Sequence, residues 1–283
     1  MAEVEILQPG LFSTLQDSGR NGFLKYGVPK SGPMDSASAG IANLLLQNPA
    51  GSAVMEITQL GPKMAFLGPT EIAISGALLS PEINGAGIEN NRVYRIHKGD
   101  VLSFGKRKMG CRAYLAIKNG FQTEKILGSR SWYTPISAND RLKKGMRLPF
   151  RPFEREKFEM HAAVRSNDEI FSEEIPVFPG PEFELLTSAE KERLQKDYFS
   201  AGMDNNRMGI QLQEPIQNSL KPILTGPVIP GTVQLTPSGQ LIVLMRDGQT
   251  TGGYPRVLQL SEKGINILAQ KLPGEQFRFI FKT

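Results

Sequence analysis

The 283-residue chain carries one cysteine, Cys111, and two histidines, His97 and His161. One cysteine excludes an internal disulfide. So few thiols and imidazoles all but exclude a zinc site built from them, and no metal site is expected. A Cys-His nucleophile pair would need a reactive Cys111. Its setting, Cys-Arg-Ala-Tyr-Leu-Ala-Ile, reads instead as a strand entering a core, with a buried thiol. Long apolar runs are also missing. Stretches such as Leu241–Met245 fall far short of the ~20 residues of a membrane-spanning helix. The start, Met-Ala-Glu-Val-Glu, has two acids and no apolar signal core, so a cytoplasmic protein is expected. Neither a G-x-x-x-x-G-K-[ST] loop nor a G-x-G-x-x-G after a strand occurs, so nucleotide chemistry here would not use either motif.

Charge and composition narrow the class further. There are 33 basic and 28 acidic side chains, a net charge of +5. That mild excess suits an anionic substrate or a nucleic acid and selects neither. The basic run Gly105-Lys106-Arg107-Lys108-Met109-Gly110 lacks interleaved aromatics and reads as a solvated tip, so no nucleic-acid partner is expected. Hydrophobic residues make up 40%, which is globular and not disordered. The 29 glycines and 20 prolines, about one residue in six, point to many short strands between turns.

Three segments read as helices. Ser36–Gln47 starts behind Asp35 as N-cap and stops at Asn48-Pro49. Ala189–Phe199 opens at Thr187 or Ser188, and Glu262–Lys271 follows Ser261. Short strands fill most of the rest, among them Glu71–Ser75, Gln240–Met245 and Gln276–Phe281. Val101–Phe104 and Cys111–Ile117 flank the Gly105–Gly110 turn and read as a hairpin. Strands at this spacing with three scattered helices predict a mainly β protein of barrels or sandwiches, not a Rossmann sheet. The charged stretch Phe150–Glu174 reads as a linker or an excursion, which places two domains at 1–165 and 166–283.

Four polar clusters could carry chemistry. The first, Asp17–Gly22 continuing through Gly27–Asp35, is dense in glycine and proline and sets Asp17, Arg20 and Asp35 in a rigid frame. A carboxylate and a guanidinium so held could orient a polar ligand, or form a structural ion pair under a loop with Asp35 capping the helix. In Gly128-Ser129-Arg130-Ser131, small residues flank one arginine, so backbone N–H groups could face an anion that Arg130 also grips. The third, Asp204–Gly209, presents Arg207 from an Asx-rich turn. The fourth joins Gln234 to Asp247-Gly248-Gln249-Thr250-Thr251-Gly252-Gly253-Tyr254-Pro255. Two threonine hydroxyls beside a Gly-Gly pair suit a developing oxyanion or a carboxylate, with Asp247 as base or orienter.

In this order the clusters resemble the carboxyltransferase-type family that includes allophanate hydrolase subunit 2 and the C component of 5-oxoprolinase. The likeness runs nearly end to end. It is carried by Asp-x-Gly-Arg-x-Gly at 17–22, Gly-Val-Pro-x-Ser-Gly-x-Met-Asp at 27–35, Ala42-Asn43, Asn48, Glu56, Gly128-Ser129-Arg130, Pro179-Gly180-Pro181, Arg207-Met208-Gly209, Thr-Thr-Gly-Gly-Tyr-Pro at 250–255 and Pro273-Gly274. It departs at Trp132, where threonine is usual, and at Ala138-Asn139-Asp140, in place of Gly-Gly before Arg141. Asn206 replaces an aspartate and Gln211 an arginine.

The resemblance implies two cyclophilin-like β-barrel domains and a few short helices. It also implies a companion subunit of related cyclophilin-like fold, like the B component of 5-oxoprolinase, and a third chain like its A component. Together these would form an ATP-dependent 5-oxoprolinase that opens 5-oxo-L-proline to L-glutamate, with ATP shared within the complex and little activity in this chain alone. The candidate catalytic set is Asp247, Thr250, Thr251 and Arg130. The candidate substrate- or anion-binding set is Asp17, Arg20, Asp35, Arg207, Gln234, Gly252, Gly253 and Tyr254, converging on one anion-holding pocket. Two alternatives accompany this reading. One is a carboxyltransferase component of a biotin-dependent system; as the chain lacks an Ala-Met-Lys-Met carrier motif, biotin would arrive on another chain. The other is a non-catalytic regulatory partner of the companion subunit.

Overall fold

The computed structural model describes residues 1–154, 164 and 168–282. The chain divides into two compact units, Met1–Arg20 with Ser31–Asn167 and Asn21–Lys30 with Asp168–Thr283. Both the 165/166 boundary expected from the sequence and His161 lie outside the described residues. No helix among them is long and apolar enough to cross a membrane.

The first unit runs β1 (Ala2–Gln8), β2 (Phe12–Gln16), α1 (Ser36–Leu45), β3 (Val54–Thr58), β4 (Lys63–Phe66), β5 (Thr70–Leu78), β6 (Pro81–Ile83), β7 (Ala86–Gly87), β8 (Val93–Ile96), β9 (Val101–Phe104), β10 (Met109–Ile117) and β11 (Arg147–Phe150). Its strands form a six-stranded sheet, β11-β1-β4-β9-β6-β7, and a five-stranded sheet, β2-β3-β10-β5-β8. Period-two alternation explains β10. Ala113, Leu115 and Ile117 join the core shared by the two sheets, with Ile6, Met64 and Leu148. Tyr114 and Ala116 point the other way, onto Ala39, Ala42 and Leu45 of α1. The small residues of α1 allow that close seat.

The expected hairpin between β9 and β10 does not form. β9 pairs with β4 and β6, whereas β10 pairs with β3 and β5. The intervening turn arches from one sheet to the other, because both strands present apolar faces to one core from opposite sides. Where β10 meets β5 the register shifts. Gly76 sits there at φ 85°, and a Cβ would lie 2.6 Å from the Arg112 carbonyl, so only glycine fits.

The second unit contains β12 (Glu174–Pro179), α2 (Ser188–Lys196), β13 (Phe199–Asn205), β14 (Gly209–Leu212), β15 (Gly226–Pro227), β16 (Thr232–Leu235), β17 (Leu241–Leu244), β18 (Thr251–Gly252), β19 (Arg256–Leu260), α3 (Glu262–Ala269) and β20 (Gln276–Phe281). Seven strands close as β12-β19-β16-β17-β14-β13-β20, and β15 pairs with β18 apart from them. Closure removes the exposed edges of the sheet. The parallel β12–β20 pair, with Ile175 opposite Phe279, seals the ring. The mainly β architecture with few short helices therefore matches the expectation. All three helices begin at the caps read from the sequence. Asp35 accepts from the Ser38 N–H, Thr187 forms a capping box with Glu190, and Ser261 accepts from the Gly264 N–H.

Candidate functional site

In the first unit the Gly-Ser-Arg-Ser segment does wrap around an anion, and the anion is the chain's own Asp17. Asp17 Oδ1 accepts from Ser129 Oγ at 2.5 Å, Ser131 Oγ at 2.9 Å and the Gly19 N–H at 2.9 Å. Its Oδ2 accepts from the Arg130 N–H at 2.6 Å. Charge-assisted bonds of this kind are short and strong, and four of them satisfy a buried carboxylate. This corrects two expectations. Asp17 is not held by Arg20, and the N–H of Arg130 does not face an incoming anion. The sequence separations of 112 to 114 residues kept this clasp out of view of any local motif.

Arg20 and Asp35 are both buried in the frame of this loop, and Asp35 caps α1 as one of the two sequence readings had it. Arg20 is 1% exposed and ties the Ser131 carbonyl to Ser31 Oγ, the latter at 3.2 Å. Asp35 is fully buried, and its carboxylate accepts from the Ser38 N–H at 3.0 Å and from Ser38 Oγ at 2.6 Å. Sequence reasoning missed the group beneath it. Tyr114 donates to Glu56 Oε2 at 2.9 Å and accepts the Asp35 N–H at 2.8 Å, while the Met34 N–H reaches the same Glu56 oxygen at 2.7 Å. Burial, and then the negative Glu56 and Asp35, push the Tyr114 hydroxyl well above its ordinary pKa of 10.0. The phenol therefore stays protonated and fixes the loop that enters α1.

A cleft of about 120 Å³ opens beside the Asp17 clasp, with Thr123, Arg130, Trp132, Ser137, Met146 and Leu148 in its walls. Arg130 is half-buried. Its Nη2 donates to Gln122 Oε1 at 3.2 Å, and its Nε is buried with no acceptor. Gln122 and Thr123 carried no motif. The only hint in the sequence is a polar pair directly after Asn119-Gly120-Phe121.

In the second unit the Asx turn presents Arg207 as expected. Asn206 Oδ1 accepts the Met208 N–H at 2.7 Å and the Gly209 N–H at 3.2 Å. Arg207 then meets Asp247 through Nε to Oδ2 at 2.7 Å and Nη2 to Oδ1 at 3.2 Å. Their side chains are only 8% and 5% exposed. Such a buried, bidentate pair is stable only as a pair. Both Asp247 oxygens are engaged by the guanidinium, an arrangement that suits the orienter of the two roles read from the sequence, base or orienter.

The Thr-Thr-Gly-Gly-Tyr segment is pinned by its carbonyls. Thr250 O accepts the Val228 N–H and Gly253 O the Ile223 N–H. Thr251 and Tyr254 are exposed and Thr250 is half-buried. Gly252 is required by close approach, since a Cβ would lie 2.3 Å from Gln234 Nε2. That amide nitrogen is buried with no acceptor, while Gln234 Oε1 accepts from Gln249 Nε2 at 3.3 Å. Gln234, Gly252 and Gln249 thus come together in this unit, and so do Arg207 and Asp247. Arg20, Asp17 and Arg130 belong to the other unit. Among the described residues no cluster of histidine, cysteine and carboxylates suits a metal ion.

Residues 26–281 match the family described as carboxyltransferase domain, subdomain A and B. The chain is 30% identical to the C component of the Escherichia coli 5-oxoprolinase, over 98% of this chain and 90% of that protein. It is 43% identical to the urea amidolyase of Lachancea kluyveri over 130 residues, which is 46% of this chain and 7% of that protein. Crystal structures share its fold. That of TTHA0988 aligns with a TM-score of 0.88 at 26% identity, over 99% of this chain and 56% of that one. The K. lactis urea amidolyase aligns with a TM-score of 0.89 at 29% identity, over 99% of this chain and 19% of that one. This chain thus spans just over half of the first structure and about a fifth of the second.

Proposed function

Since the chain belongs to the carboxyltransferase domain family, subdomains A and B, we propose that it is a subunit of a cytoplasmic, ATP-dependent 5-oxoprolinase-type complex. Its companions would be a chain of related fold, like the B component of that enzyme, and a third chain like its A component. The observation that carries this reading is length: the likeness to the C component of a 5-oxoprolinase covers 98% of this chain and 90% of that protein.

The chemistry asks for a division of labour. A lactam amide is unreactive because nitrogen donates into the carbonyl, so opening it requires an activated oxygen and a positioned water. ATP would be shared within the complex. This chain supplies positioning. Arg130 is the cation for the substrate's anionic end. Separately, within the second unit, the exposed Thr251 hydroxyl and the half-buried Thr250 are donors that a partner chain's anionic group could use. Arg207, oriented by Asp247, sets the shape of its own loop.

Co-purified complex assembled from the three chains should form glutamate from 5-oxoproline with ATP. Omitting this chain should abolish turnover; unchanged turnover refutes the assignment.

A second reading has its own observation, the 43% identity to urea amidolyase over 130 residues. As a carboxyltransferase component, the chain would take carboxyl groups from biotin borne on another chain. Carboxylated product formed on adding a biotin carboxylase and a biotinylated carrier, with no ATP-dependent glutamate formation, would favour this reading over the first.

A further inference from the structure

We propose that the cleft beside the Asp17 clasp is a binding site for a small organic monocarboxylate, with Arg130 as the partner of the carboxylate. That the occupant is 5-oxo-L-proline rests on the function proposed above; the preference for a small acid rests on the cleft alone.

Arg130 has donors to spare. A guanidinium has five N–H donors, and Arg130 places one on Gln122. Its Nε is buried with no acceptor. Asp17 takes the backbone N–H of Arg130 and not its side chain. No carboxylate lies within ion-pair distance of that guanidinium among the described residues. Nearby, Thr123 Oγ1 is also buried with no partner. Buried donors without acceptors are costly, so two in the wall of one cleft point to a ligand that supplies acceptors. On binding, the half-exposed guanidinium turns and gives Nε the carboxylate oxygen it lacks.

Charge sets the valence of the ligand. Arg147 also borders the cleft, but it faces Glu3 at 3.5 Å and Glu5 at 3.7 Å. Glu124 adds a negative charge to the rim. One uncompensated cation among carboxylates suits a monoanion and disfavours phosphate esters. Volume sets the size. At roughly 10–15 Å³ per water-sized group, 120 Å³ accommodates about ten such groups, an acid of amino-acid dimensions. Trp132, Met146 and Leu148 make an apolar bed for its body, and Ser137 offers a hydroxyl.

Calorimetric titration of the full chain tests this with 5-oxo-L-proline, its neutral carboxamide, a panel of other small monocarboxylates, and inorganic phosphate. At least one acid should bind while the carboxamide and phosphate do not. R130Q should weaken that binding at least tenfold, T123V several-fold, and R130K should fall between wild type and R130Q. Equal binding to wild type and R130Q, preference for phosphate, or no binding by any acid overturns the proposal. If R130Q does not fold, T123V and the acid-against-carboxamide comparison decide. Binding of other acids but not 5-oxoproline keeps the site and argues against the 5-oxoprolinase reading. No binding, with turnover by the complex intact, removes the site and leaves that reading standing.

Discussion

Two buried carboxylates, one in each unit, are held in opposite ways. Asp17 is surrounded by neutral donors, two serine hydroxyls and two backbone N–H groups. Asp247 is locked to the guanidinium of Arg207. In the second unit cation and anion cancel, and the pair shapes a turn. In the first, Asp17 organises the backbone around Arg130 without neutralising its side chain, so a positive charge remains for a ligand. A carboxylate next to an arginine in sequence therefore says little about which charges are available.

The sharpest way to break this contrast is to remove one partner of the charged pair. D247N breaks the buried, bidentate pair with Arg207, and should cost about 3–5 kcal/mol in denaturant unfolding. The double variant R207M/D247L should recover much of that, because apolar groups replace both members of the buried pair. D17N should cost less, about 1–3 kcal/mol, since it disrupts hydrogen bonds to neutral groups. A loss from D17N as large as that from D247N would erase the distinction.

The ease of reading each feature from the sequence follows the same division between local and distant contacts. The caps Asp35, Thr187 and Ser261 were legible because a cap bonds within three residues of itself. β9 and β20 were legible in place from their apolar and β-branched content. The pairing of β9 was not, because a short turn serves a hairpin and a sheet-to-sheet arch equally well. At the candidate site, the Asn206 turn was legible and its consequence, the Arg207–Asp247 pair 40 residues apart, was not. Gly-Ser-Arg-Ser suggested an anion from outside, whereas its hydroxyls and the Arg130 N–H hold Asp17, a contact more than a hundred residues away in sequence.

A smaller effect belongs to a half-buried ion pair, Glu182–Arg256. Hydrogen bonding by Arg256 holds the Glu182 carboxyl below its ordinary value of 4.5. The stabilisation is fully present above that unfolded value and is lost as pH falls through the lower folded one. Wild type should lose stability on acidification below about pH 4.5 relative to E182Q, whose acid limb should be flatter, as read by thermal melts across pH 2–6. An unchanged limb would remove Glu182–Arg256 from the acid response. Smallest of all, T250A and T251A should shift unfolding by no more than about 0.5 kcal/mol, as surface changes do. Their effect should appear in turnover of the complex, and a large fall in stability would make them framework instead.

The free charge on Arg130 is tested most directly by the substrate dependence of ATP-driven glutamate formation in the assembled complex, measured for wild type and R130Q. The predicted result is a KM for 5-oxoproline raised at least tenfold in R130Q, with kcat much less affected. An unchanged KM would contradict it.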